Sequence, residues 1–112
     1  MKKRAAERIP EKINVKFFSA GTEYSGTMMN FSQKGMFIRT DVNVPIRTQV
    51  EIHVPVREEV FKVLAEVKSF TKSGDVQNGI GVEVINPPQN YIEFIDSLYL
   101  KTIIIIFYSF PS

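Results

Sequence analysis

The sequence contains no cysteine and no tryptophan, and its only histidine is His53. Without cysteine the chain cannot form disulfides, thiolate metal sites or a cysteine nucleophile, and one histidine cannot build a metal cage. The longest apolar run, residues 103–108, is far shorter than the roughly 20 residues that span a bilayer, and no apolar stretch typical of a signal peptide follows the basic N-terminus. We therefore expect a soluble, cytoplasmic protein that uses no metal or cofactor.

Nothing in the sequence predicts an enzyme. His53 lies between Ile52 and Val54 in an alternating segment, so we interpret it as a residue on a strand face rather than as a general base. The carboxylates are spread too thinly along the chain for a catalytic pair to be argued. Neither phosphate-binding motif, G-x-x-x-x-G-K-[ST] or G-x-G-x-x-G, occurs. We expect a binding protein without catalytic residues.

Positive charge is concentrated at the N-terminus. The whole chain of 112 residues has a formal net charge of +2, but residues 1–16 hold six basic and two acidic residues, and the rest is slightly acidic. Basic segments of this kind usually meet anions such as nucleotides, nucleic acids or membrane surfaces. We divide the chain into a mobile basic arm (1–10), one folded domain (11–100) and an apolar tail (101–112).

The domain has the pattern of short strands separated by turns. Apolar and polar residues alternate with a period of two in several segments, which is typical of half-buried strands. Little helix is predicted between the strands, and their spacing of roughly 8–12 residues favours an antiparallel barrel or sandwich. Gly26 is interpreted as a bulge. The predicted strands lie at 13–18, 22–29, 36–40, 49–56, 60–70 and 80–84.

A different pattern begins after Pro87-Pro88, which blocks further strand pairing. Asn90 and Glu93 have the spacing of a capping box, and apolar residues then recur at helical intervals. These signals predict a helix from about Tyr91 to Leu100. For the tail at 102–112 we favour a last strand or an extension of the helix that covers the core, and an interface is the alternative.

Two short motifs stand out in the remaining sequence. The first is R-x-x-x-R, formed by Arg4 and Arg8; alone it is more often a solvated helix face. The second is N-x-S-x-x-G, formed by Asn30, Ser32 and Gly35 between two predicted strands. Alone it is most simply a turn, in which Asn and Ser bond to the local backbone and Gly adopts a positive φ.

Together, in this order and at this spacing, the motifs resemble those of the PilZ domain, a receptor module for the bacterial second messenger cyclic di-GMP. The resemblance runs from Arg4 to about Leu98 and includes residues 79–83 of the last predicted strand. It implies an all-β fold, a six-stranded antiparallel barrel of the split-barrel type with a flanking C-terminal helix. It also implies a stand-alone receptor without an attached synthase or sensor domain.

The resemblance further implies which residues bind cyclic di-GMP. The arginines would pair with phosphate and guanine from the arm, while Asn30 and Ser32 would bond to the ligand from the barrel surface. Gly35 would allow the turn or a close approach of the ligand, and Lys3 would decide between one ligand and a stacked pair. The implied ligand-binding residues are Lys3, Arg4, Arg8, Asn30, Ser32 and Gly35.

The main interpretation is therefore a cyclic di-GMP receptor that signals to an unidentified protein of the motility, biofilm or exopolysaccharide machinery through ordering of the arm. DNA is not an expected partner, and a homodimer remains open. One alternative is a PilZ-like adaptor that does not bind nucleotide. The other is a small RNA- or DNA-binding barrel, for which Phe17 and Phe18 beside Lys16 are a weak signal.

Overall fold

Six antiparallel strands form a closed barrel, and a helix follows them in the chain. The computed structural model describes the backbone of residues 9–109 and the side chains of residues 9 and 11–101. The expected fold class, an all-β barrel of six antiparallel strands with a C-terminal helix, is confirmed. The elements are β1 (Ile9–Ser19), β2 (Thr22–Phe31), β3 (Gly35–Arg39), β4 (Gln49–Val56), β5 (Glu59–Ser73), β6 (Val76–Val84) and α1 (Gln89–Ser109).

The strands are arranged around the barrel in the order β1-β2-β3-β6-β5-β4, and β4 returns to pair with β1. This closing pair is short, since Lys16, Phe17 and Phe18 face His53, Ile52 and Glu51. The β1–β2 pair is the opposite case, because it extends from Ser19↔Thr22 at the turn to Ile9↔Phe31 at the far end. Ile9 is buried and belongs to β1. The sequence pattern assigned residues 1–10 to the basic arm.

Apolar side chains at every second position of the strands fill the barrel interior, as the sequence pattern predicted. In β4, for example, Val50, Ile52 and Val54 are buried while Glu51 is exposed. Each fully buried Val, Ile or Phe side chain contributes about 1.5–3 kcal/mol relative to its exposed state. The other strands supply core residues in the same way, among them Val15, Phe17, Met28, Ile38, Val63, Ala65, Val67, Ile80, Val82 and Val84.

Gly26 does not form a bulge, so that prediction is wrong. It pairs in regular register with Val15, and a Cβ at this position would lie 2.6 Å from Ile38 Cγ2. The glycine is needed because side chains of the neighbouring strands, Ile38 of β3 and Phe17 of β1, occupy the space of a Cβ. The register of β1 shifts instead between Ile9 and Lys12. Period-two reasoning could not distinguish these two uses of a strand glycine.

Helix α1 begins at Gln89 and ends at Ser109, so it is longer at both ends than predicted. Asn90 lies inside the helix and does not cap it; the carbonyl oxygen of Pro88 accepts hydrogen bonds from the backbone N–H groups of Tyr91 and Ile92, at 3.0 and 3.1 Å. The predicted capping box is therefore wrong, and Glu93 accepts a bond from Gln89 Nε2 instead.

The apolar stripe of α1 packs on the barrel, as its spacing predicted. Tyr91 and Ile95 are buried, and Phe94 packs edge-on against Phe61 of β5 with 5.6 Å between ring centroids. The backbone of the apolar tail continues this helix through Ser109. Within the part of the chain that the structure describes, no helix is long and apolar enough to cross a membrane.

Candidate functional site

The N-x-S-x-x-G motif forms the connection from β2 to β3. Asn30 has a φ of 50°, in the left-handed region that Asn adopts more readily than most residues. Gly35 is not the residue with positive φ, contrary to the sequence-based prediction; it is the first residue of β3 and pairs with Glu83 of β6. Asn30, and not Gly35, therefore has the left-handed backbone conformation that this loop requires.

Ser32 closes the loop from within. Its backbone N–H donates to the carbonyl oxygen of Gly35 at 2.8 Å, and its hydroxyl oxygen accepts a hydrogen bond from the N–H of Lys34 at 3.2 Å. Only 2% of Ser32 is exposed, whereas the resemblance implied a position on the barrel surface. In this structure Ser32 organises the turn that presents its neighbours.

Helix α1 is hydrogen-bonded to the same loop. The buried hydroxyl of Tyr91 donates to the carbonyl oxygen of Ser32 at 3.0 Å, and Gln33 Nε2 donates to Asp96 Oδ1 at 2.7 Å. Sequence reasoning placed Tyr91 only in the apolar stripe of the helix. Its hydroxyl group could have indicated this hydrogen bond, because a buried tyrosine usually has a hydrogen-bond partner.

An open groove with a volume of about 530 Å³ lies beside this loop. Such a volume is typical of small-molecule sites. The β2–β3 connection and β3 contribute Asn30, Lys34, Gly35 and Phe37, while β5 and β6 contribute Lys68, Ser69, Gly81 and Glu83.

Two glycines of β6 shape the barrel surface at the groove. A Cβ at Gly79 would overlap the ring of Phe37, and a Cβ at Gly81 would lie 2.5 Å from Ser69 Oγ. Because both positions lack a side chain, Phe37 and Ser69 can lie directly on the β6 backbone. The sequence indicated a glycine pair in the last strand but not the side chains that cover it.

The groove carries one paired and one exposed lysine. Lys68 Nζ lies 3.3 Å from Glu83 Oε1 and 3.7 Å from Glu66 Oε2, so two carboxylates offset its charge. Lys34 is exposed at the tip of the loop. Among the side chains that the structure describes, no group of three or more His, Asp or Glu residues could hold a metal ion.

Strand β1 begins beside this loop. Ile9 is the Cα partner of Phe31, which lies between Asn30 and Ser32. Arg8 directly precedes Ile9 in the chain, and consecutive Cα atoms are about 3.8 Å apart. Lys3, Arg4 and Arg8 themselves lie outside the described residues. The structure thus brings together Asn30, Ser32 and Gly35, and the chain leads from this point to both arginines.

The comparisons with known proteins agree with this architecture. The family model described as PilZ domain matches residues 2–101, which include both motifs. The chain belongs to the PilZ family. PilZ domains are receptor domains for cyclic di-GMP rather than enzymes, and the resemblance stated from the sequence is therefore confirmed at the level of the family.

A solved structure supports the fold. The crystal structure of the PilZ domain of CeSA from a cellulose-synthesizing bacterium matches with a TM-score of 0.56 and 19% sequence identity. The match covers 88% of this chain and 96% of that one. At this identity the likeness shows a common PilZ barrel. A search of curated proteins found no match.

Proposed function

We propose that this PilZ chain is a non-enzymatic receptor that binds cyclic di-GMP between its N-terminal arginines and the groove beside the N-x-S-x-x-G loop. The pairing of Ile9 with Phe31 carries the proposal, because it places the residue that follows the R-x-x-x-R motif beside a residue of the N-x-S-x-x-G motif. Arg8 is one peptide bond from this pair. Arg4 is four residues further, a reach of up to about 18 Å from Ile9 in an extended chain.

The chemistry of the arginines suits this ligand. Cyclic di-GMP carries two phosphates and two guanines. A guanidinium group pairs with phosphate oxygens through parallel N–H bonds, and it also donates to O6 and N7 of guanine. We assign these contacts to Arg4 and Arg8. The exposed ammonium group of Lys34 adds positive charge at the rim of the groove.

We assign the remaining contacts to the loop. Asn30 and Gly35 line the groove, so the Asn30 side chain and the Gly35 backbone can approach a guanine or ribose. The Ser32 hydroxyl accepts a bond from Lys34, and a hydroxyl can also donate one, so it can bind a ligand oxygen while it keeps the turn in place. Lys3 is assigned to the phosphates of a second ligand molecule.

The proposed output is a change of surface. Ligand binding fixes residues 1–8 against the barrel, and a downstream protein of motility, biofilm or exopolysaccharide control recognises the resulting surface. A cytoplasmic location belongs to the same proposal.

Calorimetric titration with cyclic di-GMP tests the receptor assignment. Arg8→Ala and Arg4→Ala each remove a charge-assisted contact, and a loss of about 3 kcal/mol weakens affinity more than a hundredfold. Ser32→Ala should weaken it less, because one neutral hydrogen bond is worth about 1 kcal/mol. Arg47→Ala removes the same charge from a loop outside the groove and serves as the matched control.

The titration also distinguishes the other interpretations. Wild-type affinity in the Arg4→Ala/Arg8→Ala double variant would contradict the assignment of the arginines. A folded wild-type chain that binds neither cyclic di-GMP nor GTP would be an adaptor, and preferential binding of a short RNA would indicate a nucleic-acid barrel. Amide NMR signals of residues 1–8 test the output, because they should broaden or shift on saturation while signals of the β4–β5 turn stay unchanged.

A further inference from the structure

A second groove, with a volume of about 580 Å³, lies across the outer faces of β1, β2 and β4. The strand order places it on the side of the barrel away from β3 and β6, which carry the cyclic di-GMP groove. It opens where the closing strand pair ends. Beyond Lys16↔His53, the described residues of β1 and β4 no longer pair, and Asn14 and Pro55 line the gap.

The hydrogen bonds within the groove leave several donors without a partner. Lys16 Nζ donates to Ser25 Oγ at 2.9 Å, and Thr27 Oγ1 donates to Asn14 Oδ1 at 3.2 Å. The remaining capacity includes two further N–H bonds of the Lys16 ammonium, the Ser25 hydroxyl proton and the Asn14 amide protons. A ligand that only accepts hydrogen bonds matches this set.

His53 adds an unsatisfied polar group to the same wall. Its Nε2 atom is buried and has no hydrogen-bond partner within the described part of the chain, since Glu51 Oε1 lies 3.5 Å away without forming one. A desolvated nitrogen without a partner is costly, typically by about 1–3 kcal/mol. When Nε2 carries the ring proton, an acceptor placed at this nitrogen would offset that cost.

The other wall of the groove is apolar. It consists of Pro55 of β4 and Val60 of β5, and Val60 is 53% exposed although it is a large aliphatic residue. The charge of the groove is small, because Glu23 Oε2 lies 3.6 Å from Lys16 Nζ and Glu51 Oε1 lies 3.5 Å from His53 Nε2, so carboxylates offset part of the lysine charge. One partly compensated cation suits a monoanion better than a dianionic phosphate.

We propose that this groove is a second ligand site, for a small monocarboxylate with a short apolar body. The carboxylate, which only accepts hydrogen bonds, binds Lys16, Ser25 and His53, and the apolar body covers Val60 and Pro55. This site is separate from the cyclic di-GMP groove, and the proposal does not depend on the receptor function.

NMR titration of the full chain with sodium hexanoate at constant ionic strength tests the proposal. His53 is the only histidine, so its ring gives a single assignable reporter. Hexanoate should shift this reporter saturably in the millimolar range. Acetate lacks the apolar body, and since one buried methylene changes affinity about fourfold, it should bind at least tenfold more weakly. Hexanamide lacks the charge that pairs with Lys16 and should also bind at least tenfold more weakly.

Two matched variants locate the binding. Lys16→Met keeps the apolar stem and removes the cation, so hexanoate affinity should fall at least tenfold. Lys72→Met makes the same change at an exposed lysine of β5 outside the groove, and should leave affinity within about twofold. If Lys16→Met fails to fold, Ser25→Ala takes its place, with an expected severalfold loss.

The outcomes separate clearly. Cyclic di-GMP titrations of Lys16→Met should match those of the wild type, which distinguishes this site from the receptor groove. A linear shift without saturation, equal shifts from hexanoate and hexanamide, or equal losses in the two lysine variants would each overturn the proposal.

Discussion

At the residue scale, a buried hydroxyl joins the N-x-S-x-x-G loop to the helix. Tyr91 is fully buried, and its bond to the Ser32 carbonyl oxygen is the buried polar contact between α1 and the N-x-S-x-x-G loop in the described structure. Helical spacing was enough to place Tyr91 in the core. The bond itself depends on where the helix packs against the β2–β3 connection. A local sequence pattern contains no information on the distance between the Tyr91 hydroxyl and the Ser32 carbonyl oxygen.

Replacement of this hydroxyl should loosen the loop. Tyr91→Phe leaves the buried Ser32 carbonyl oxygen without the tyrosine donor, which we expect to cost about 1–2 kcal/mol of unfolding free energy. Thermal melts and cyclic di-GMP titration of the variant measure the effect on stability and on affinity. Tyr24→Phe is the control; Tyr24 stacks on Phe17, and its substitution should change the free energy of unfolding by less than about 0.5 kcal/mol. Equal stability of the two variants would contradict the role of the Tyr91 bond.

The β1–β2 turn offers a second residue-scale prediction. Ala20 and Gly21 connect the strands with φ values of 51° and 82°, which is the geometry of a type I′ turn. Because Asn tolerates this region better than Ala, Ala20→Asn should raise the free energy of unfolding by about 0.5–1 kcal/mol. Gly21→Ala should lower it, and since a Cβ there meets nothing within 4 Å, the loss would report backbone strain alone. Denaturant unfolding measures both; an unchanged midpoint in Ala20→Asn would argue against strain at this turn.

At the scale of elements, the strands were predictable and the ends of the helix were not. Alternation in segments such as 49–56 follows directly from burial of one strand face, so it identified the core residues of β4. Helix α1 starts from a Pro88 carbonyl oxygen, which no side-chain signal marks. It also continues through isoleucines that favour strands, because adding a turn to an existing helix avoids the cost of nucleation.

Deletion of residues 102–112 tests what this extension does. If the apolar segment packs on its own barrel, the melting temperature should fall; if it packs on a second copy, an oligomer should dissociate. Replacement of residues 103–106 by alanine is the matched variant, because it keeps helix propensity and removes the apolar side chains. Light scattering and thermal melts of both variants decide between the two. Monomers of unchanged stability would show that the segment is dispensable.

At the scale of the whole molecule, the order of strands around the barrel assembles the candidate site. The motif in the loop could be recognised in the sequence, but its neighbours could not. Phe37, Ser69 and Gly81 come from three strands that meet only because β3, β6 and β5 are adjacent in the barrel. Likewise, the contact of Ile9 with Phe31 follows from the register of a long hairpin rather than from any local signal.

Stoichiometry is a property of this assembled site. Lys3 directly precedes the first motif arginine. We propose that its long cationic side chain binds the phosphates of a second nucleotide. Titration should therefore approach two cyclic di-GMP molecules per chain, and Lys3→Leu should reduce this toward one. Lys2→Leu removes the same charge one residue earlier and should leave the stoichiometry unchanged. Added salt should weaken binding in all three proteins, because exposed cations contact a dianion. A single ligand in the wild type would contradict the assignment of Lys3.

The Ile9–Phe31 pair also sets an effective concentration. Because the arginine segment is attached where β1 meets the loop, its local concentration at the groove is on the order of millimolar or higher without any affinity of its own. The entropy cost of bringing the arginine segment to the N-x-S-x-x-G loop is therefore part of folding the β1–β2 hairpin and does not reduce the affinity for the nucleotide. A chain that begins at Ile9 would therefore recover binding only if a peptide of residues 1–8 were supplied at comparable, millimolar concentration.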